Sequence, residues 1–107
     1  MKKYKIKVSE AAENDLENII SYLRHNLSGD ILADKYKLLF KQGLKDLENI
    51  AESMPILDEK LTGEKNVRKI NVRNYIIFYM VDEKTSEALV LRIGNAFMNW
   101  EKYLRDE

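Results

Sequence analysis

Apolar side chains recur every three or four residues along two long segments in the first half of the chain. This period predicts a helix over residues 10–27 and a second helix from residue 30 to about residue 52, each with one apolar stripe. Ser9 and Asp30 are residue types that cap the start of a helix, and Ser28-Gly29 marks the break between the two. Because about three residues connect them, the two helices are expected to form an antiparallel hairpin.

A period of two residues, which is typical of strands, starts the chain and returns after the helices. Residues 3–8 alternate apolar and basic side chains, which predicts a short strand with one apolar face. Residues 67–100 predict a meander of three strands, because β-branched and aromatic runs are separated by polar turns at Asn74 and at residues 82–87. A short closing helix is predicted over residues 99–105.

The two patterns together predict an α+β fold, since a sheet with one apolar face and a helical hairpin with one apolar stripe can cover each other. We expect an antiparallel sheet with an N-terminal strand, the hairpin on one face, a three-stranded meander and a short C-terminal helix. The apolar run Tyr75–Val81 predicts a central strand that is covered on both faces, or whose second face meets a partner. Gly43 is expected to let the second helix approach a neighbour closely. Residues 53–66 are expected to form an ordered loop anchored by three apolar residues: Ile56, Leu57 and Leu61.

Length and composition predict one globular domain over residues 1–107. The chain has 107 residues, of which 45% are hydrophobic and 34% charged, as in ordinary folded proteins. No segment has the roughly 20 apolar residues that cross a membrane, and no apolar core follows the basic N-terminus. We therefore expect a cytoplasmic protein that does not bind a membrane.

Cysteine, histidine and charge counts exclude several kinds of site. The chain has no cysteine and one histidine, which excludes disulfides, thiolate metal sites and any site that needs two imidazoles. We expect no metal and no cofactor, and His25 is expected at the surface or at the end of the first helix. The 18 basic and 18 acidic residues balance, which argues against a broad phosphate-binding surface. A local basic patch is still compatible with this balance.

Charged residues leave two possibilities for chemistry. The carboxylates of the first helix are expected to form a solvated face rather than an acid–base pair; they are Glu10, Glu13, Asp15 and Glu17. The basic residues of the meander either give solubility and cross-strand ion pairs or form a small cationic surface for a phosphate or an acidic partner. These residues are Arg68, Lys69, Arg73 and Arg92.

The ordered set of segments resembles the RelE/ParE family of toxins from bacterial toxin–antitoxin pairs. The resemblance covers nearly the whole chain and rests on the following pieces: Val8-Ser9 before the first helix, Pro55 after the second, Arg68-Lys69-Ile70, the strand from Asn74 to Asp82, the strand Leu89–Ile93, and Asn99-Trp100-Glu101. It implies a toxin that a cognate antitoxin protein neutralises. RelE-like members are ribosome-dependent endoribonucleases that cut mRNA, whereas ParE-like members poison DNA gyrase.

Two departures from the nuclease pattern place this chain closer to the ParE-like branch. Ile76 stands where an arginine usually follows the tyrosine of the third strand, and Phe97-Met98 stands where a basic pair is usual. These side chains neither exchange protons nor neutralise phosphate charge. If the chain were nevertheless a nuclease, the resemblance leaves four candidate catalytic residues: Arg68, Arg73, Arg92 and Tyr103.

A third interpretation is an inactive remnant that only binds an antitoxin. The expected partner-binding residues are aromatic or apolar; they are Tyr75, Phe78, Phe97, Met98 and Trp100. Phe97 and Met98 either extend an apolar docking surface or pack in the core.

Overall fold

The helices and strands occur in the order that the sequence predicts. The computed structural model describes residues 3–26, 29–57 and 66–105. Its elements are β1 (Lys5–Val8), α1 (Glu10–Asn26), α2 (Asp30–Ile50), β2 (Val67–Val72), β3 (Tyr75–Asp82), β4 (Glu87–Asn95) and α3 (Trp100–Arg105). The α+β class, the helical hairpin, the meander and the closing helix are confirmed.

The four strands form one sheet in the order β1-β4-β3-β2. Strands β2, β3 and β4 pair antiparallel, as a meander should, but β1 pairs parallel to β4. The sheet is therefore mixed rather than wholly antiparallel. A parallel pair needs a long connection between its strands, and the helical hairpin together with β2 and β3 supplies that connection here.

The helical hairpin covers one face of the sheet and forms the main core with it. Phe40 and Leu47 of α2 are buried in the same cluster as Ile77 and Tyr79 of β3. Gly43 lies where α2 passes closest to the sheet, because a Cβ placed there would be 2.9 Å from Cγ2 of Val72. The expected close approach at Gly43 is confirmed.

A second apolar cluster covers the opposite face of β3. Ile76, Phe78 and Leu91 of the sheet are buried there against Leu104 of α3, and Leu57 packs against them. The central strand is thus covered on both faces by its own chain, which is the first of the two alternatives predicted for it.

The loop before β2 is anchored by only part of the predicted set. Leu57 packs against the second cluster, and its N–H donates a hydrogen bond to the Val67 carbonyl at 2.7 Å. Ile56 is 49% exposed, so its predicted role as an anchor is wrong. Leu61 lies outside the described residues.

The two hairpin helices begin in different ways. Ser9 caps α1 as predicted, since its Oγ accepts a hydrogen bond from the Ala12 N–H at 3.0 Å and donates one to the Leu91 carbonyl at 2.9 Å. The N-cap of α2 is Gly29, with φ of 68°, and not Asp30. Asp30 is the first helical residue, and its carboxylate forms an ion pair with Arg24 of α1 rather than a cap. In the described part of the chain, no helix is long and apolar enough to cross a membrane.

The close contact at Gly43 generates a stability prediction. Replacing Gly43 with Val should lower the free energy of unfolding by about 2 kcal/mol, because the added methyl groups would collide with Val72 in a packed interface. Urea unfolding measures the change. Lys41→Val is the matched control, since it adds the same β-branched residue on the exposed side of α2. Equal losses in the two variants would contradict the packing argument.

Candidate interaction site

Asn95 ends β4 and holds the turn that leads into α3. Its Oδ1 accepts a hydrogen bond from the Phe97 N–H at 2.8 Å. Its backbone carbonyl accepts from the Met98 N–H at 3.2 Å and from the indole Nε1–H of Trp100 at 2.9 Å. One asparagine therefore fixes the turn through both its side chain and its backbone, as asparagine does in Asx-turns.

The indole of Trp100 lies directly against Gly94. A Cβ at Gly94 would be 2.5 Å from Cη2 and 2.7 Å from Cζ2 of that ring, and 3.3 Å from the Met98 sulfur. On the same face of the sheet, the Trp100 ring centroid is 4.5 Å from that of Phe78. Glycine is required at position 94 because the ring occupies the space of a side chain.

This arrangement leaves Phe97 almost completely in solvent. Phe97 is 87% exposed and Met98 is 39% exposed, so of the two alternatives for this pair, packing in the core is wrong. Phe78, in contrast, is 3% exposed and lies beneath Trp100, which corrects the expectation that Phe78 is available to a partner. Trp100 is half-buried and holds the turn.

The turn between β2 and β3 lies beside the Asn95 turn. The Ala96 N–H donates a hydrogen bond to the Asn74 carbonyl at 2.9 Å, which joins the two turns at one end of the sheet. Arg73 is exposed and has a φ of 57°, a conformation that side chains other than asparagine and aspartate rarely adopt. We call residues 73–74 and 96–98 the tip.

Tyrosines border the tip on the side of the helical hairpin. The ring of Tyr75, which pairs with Asn95 across the sheet, is half-buried and packs edge-on against Tyr36 at 5.6 Å. Burial raises the pKa of Tyr75, and the neighbouring hydroxyls of Tyr36 and Tyr22 raise it further. Tyr22 is 54% exposed. This end of the molecule therefore combines aromatic rings, methionine and arginine, the residue types that are enriched in protein interfaces.

Arg92, one of the candidate catalytic residues, is held in a half-buried ion pair. Its Nε and one terminal nitrogen donate to the two carboxylate oxygens of Asp15 at 2.7 and 2.8 Å, and the same carboxylate accepts from the Ile93 N–H at 3.0 Å. Asp15 is therefore not part of a solvated face, which corrects that expectation. Its position in the apolar stripe of α1, three residues after Ala12 and four before Ile19, is a signal of burial that the sequence analysis missed.

The guanidinium of Arg68 also has a structural role. One of its guanidinium nitrogens donates to the carbonyls of Glu52 at 2.7 Å and Met54 at 2.9 Å, in the turn that follows α2. Arg73 lies just past the other end of β2, roughly 17 Å away for five residues of extended chain. The side chain of Tyr103 lies outside the described part of the structure. The structure thus does not bring Arg68, Arg73 and Arg92 together.

An open basin at the end of the sheet opposite the tip carries both signs of charge. It measures about 900 Å³ and includes Met80 and Leu89 together with charged side chains. Lys7 and Glu87 form an ion pair there at 2.7 Å, and this contact lowers the pKa of Glu87. His25 is exposed, and within residues 3–26, 29–57 and 66–105 no group of three acidic or histidine residues is placed to hold a metal.

Two buried tyrosines lie near Arg68. The hydroxyl of Tyr79 donates a hydrogen bond to the Ala51 carbonyl at 2.8 Å, and burial raises the pKa of Tyr79 to about 12. Burial also raises the pKa of Tyr4 to about 12, with a further contribution from the carboxylate of Glu52. Both groups keep their protons at any physiological pH, which suits a packing role rather than proton transfer.

Comparisons with known proteins agree with the fold. A family model described as the ParE toxin of the type II toxin–antitoxin system parDE matches residues 6–100. A chain of the chromosomal ParDE system from P. aeruginosa is similar in structure, with a TM-score of 0.68 and 21% identity over 87% of this chain and 96% of that chain.

Two further solved structures share the architecture. A chain of the RelBE2 toxin–antitoxin complex from Mycobacterium tuberculosis has a TM-score of 0.60 and 20% identity, over 89% of this chain and 93% of that one. A mutant of the E. coli toxin RelE in the free state has a TM-score of 0.58 and 20% identity, over 97% of this chain and 95% of that one. No curated protein sequence matches this chain. At such identities, the solved structures support the fold alone.

The contact between Gly94 and Trp100 generates a spectroscopic prediction. Gly94→Ala should displace the indole ring, lower the free energy of unfolding by about 1–3 kcal/mol and shift the emission of Trp100, the single tryptophan, to longer wavelength. Tryptophan fluorescence and urea unfolding measure both effects. Leu89→Ala, at a partly exposed position elsewhere on β4, is the control and should leave the emission unchanged. An unshifted spectrum in Gly94→Ala would contradict the contact.

The buried tyrosines generate a prediction of pH dependence. In the folded protein the pKa values of Tyr4 and Tyr79 are about 12, against 10.0 for an ordinary tyrosine. Above pH 10 the unfolded chain loses these protons while the folded chain keeps them, so stability should fall as the pH rises from 10 to 12. Unfolding measured over that range should show a shallower fall in Tyr79→Phe than in Tyr22→Phe, whose ring is exposed. An equal fall in both variants would contradict the assignment to Tyr79.

Proposed function

This chain belongs to the ParE toxin family of type II toxin–antitoxin systems, and from this premise we propose that it arrests growth by binding DNA gyrase. We propose further that a cognate antitoxin protein neutralises it. The observation that carries the proposal is the exposed Phe97, which Asn95 holds in a fixed turn at the tip. Such a display suits an inhibitor that acts by contact rather than by catalysis.

The fate of the basic residues argues against cleavage of RNA. A nuclease site needs groups that exchange protons and neutralise the developing phosphate charge at one place. The Arg92 guanidinium is paired with Asp15, and that of Arg68 is bonded to two backbone carbonyls. Neither is available without breaking contacts that stabilise the fold. These contacts of Arg68 and Arg92 favour the gyrase-binding proposal over the mRNA-cutting alternative.

The tip offers, instead, what a protein interface needs. A phenylalanine that protrudes into water costs solubility, and large exposed apolar groups in clusters usually mark contact sites. Phe97 is accompanied by Met98 and by an exposed Arg73, and the hydrogen bonds of Asn95 fix the turn before any partner arrives. Preorganisation of this kind reduces the entropy that is lost on binding. These features support a protein that acts by contact with another protein.

The neutralising partner is proposed from the resemblance and from the solved relatives. The RelBE2 structure from Mycobacterium tuberculosis is a toxin–antitoxin complex. By analogy with it, we propose that a short gene adjacent to this one encodes an antitoxin that binds this chain.

Expression and enzyme assays test the proposal together. Inducing the wild-type chain in a bacterium should stop growth, and co-expressing the adjacent short gene should restore it. The purified chain should inhibit supercoiling by purified DNA gyrase at stoichiometric concentration, with transcripts intact by primer extension. A folded Phe97→Ala variant, confirmed by urea unfolding, should lose most of both effects.

Three outcomes would count against the proposal. Growth arrest with cleaved transcripts and uninhibited gyrase would favour the nuclease alternative. Absence of arrest by soluble, folded protein would favour the inactive remnant. Failure of the adjacent gene product to bind or to restore growth would overturn the antitoxin part alone.

A further inference from the structure

Two unfavourable features occur side by side at the tip. Phe97 exposes an aromatic ring, and Arg73 adopts a φ of 57° in a turn where asparagine or glycine would be less strained. A strained backbone at an exposed position is a reason to suspect function, because selection for stability alone would remove it. Both features lie in turns joined by the hydrogen bond between Ala96 and Asn74.

The charge of Arg73 has no counterpart among the contacts of the described residues. Arg24, Arg68 and Arg92 each bind a carboxylate or backbone carbonyls, whereas no ion pair or hydrogen bond of the Arg73 side chain occurs in residues 3–26, 29–57 and 66–105. Arg73 is exposed at the surface. A guanidinium in this state can pair with a carboxylate of another molecule without first losing a partner of its own.

We propose that Arg73 and Phe97 form a two-point docking tip for a folded protein that has an apolar pocket bordered by a carboxylate. Phe97 enters the pocket, and Arg73 pairs with the acidic border. Charge complementarity and the chemistry of the aromatic ring indicate this kind of partner. An aromatic anchor gains most in a pocket that excludes water, and a positive group beside it favours an acidic rim. The inference rests on the proposed function, because the partner is the proposed target.

The two residues should act on different steps of binding. Truncating a buried anchor mainly raises the dissociation rate, whereas removing a rim charge mainly lowers the association rate and its dependence on salt. Phe97→Ala should weaken binding on the order of thirtyfold, which is the usual size of a hot-spot loss, through faster dissociation. Arg73→Asn should slow association several-fold at low salt and have little effect at high salt.

Arg73→Asn separates a binding role from a structural one. Asparagine tolerates a positive φ better than arginine, so the variant should be as stable as the wild type or more stable while it binds less well. Arg73→Lys keeps the charge and should retain most of the association rate. A loss of binding together with retained stability cannot be assigned to misfolding.

The chain offers matched controls for each change. Ile56 is 49% exposed and lines the basin at the opposite end of the sheet, so Ile56→Ala removes an exposed apolar group far from the tip. Lys84→Asn removes an exposed positive charge from the turn between β3 and β4, at the opposite end of the sheet. Neither control should change binding by more than about twofold, since surface changes away from a contact have small effects.

The experiment measures binding kinetics to purified DNA gyrase over a range of salt concentration, together with growth arrest for every variant. The proposal predicts that Phe97→Ala loses gyrase binding and growth arrest, and that Arg73→Asn associates more slowly. Equal binding by Phe97→Ala and Ile56→Ala would overturn it. Variants that still arrest growth but escape the antitoxin would also overturn it, because the tip would then be the antitoxin surface.

The growth assay distinguishes failure of this inference from failure of the proposed target. If the wild type does not bind gyrase but arrests growth, and Phe97→Ala and Arg73→Asn do not arrest it, the target is wrong and the docking tip stands. If both variants arrest growth as the wild type does, the docking tip is wrong whichever target is correct.

Discussion

The central strand β3 is apolar on both faces, and this constraint determines the rest of the fold. One face of a sheet strand can be covered by the helical hairpin, as Phe40 and Leu47 do for Ile77 and Tyr79. The other face needs a second cover, and the short helix α3 supplies it through Trp100 and Leu104. For α3 to reach that face, the chain must turn back sharply after β4. The exposed turn at residues 96–98 is thus a direct consequence of burying β3.

The same constraint explains why Phe97 is held in a defined exposed position. The indole of Trp100 must lie against the sheet, and Gly94 leaves the space for it. Once the indole is placed, its N–H and the Met98 N–H are both directed to the Asn95 carbonyl, and the Asn95 side chain fixes Phe97. Packing on the second face therefore determines the geometry of a surface residue. A change that loosens α3 should disturb the tip even if it does not touch Phe97.

Periodicity predicted the helices, the strands and, as one of two alternatives, the cover on both faces of β3, because these depend on local spacing of apolar residues. It could not predict the parallel pairing of β1, which depends on which strand edge is free once the meander has formed. The pattern also could not predict that Phe97 is exposed, because an apolar pair before a helix can lie either in the core or at the surface. Asp15 differs, because its place in the apolar stripe of α1 was visible and pointed to a buried partner, which is Arg92.

Two arginines of the strands have structural partners in this chain, and a third arginine, Arg73, is on the tip. Arg92 bonds the hairpin to the sheet through Asp15, and Arg68 bonds the turn after α2 to β2. Breaking a half-buried ion pair such as Arg92–Asp15 to free a charge for catalysis would leave Asp15 without its partner and the Ile93 N–H less well satisfied, a costly change. A fold that uses its arginines in this way is better suited to presenting a surface than to building a phosphate site. The proposed function therefore lies at the tip, where Phe97 and Arg73 are exposed.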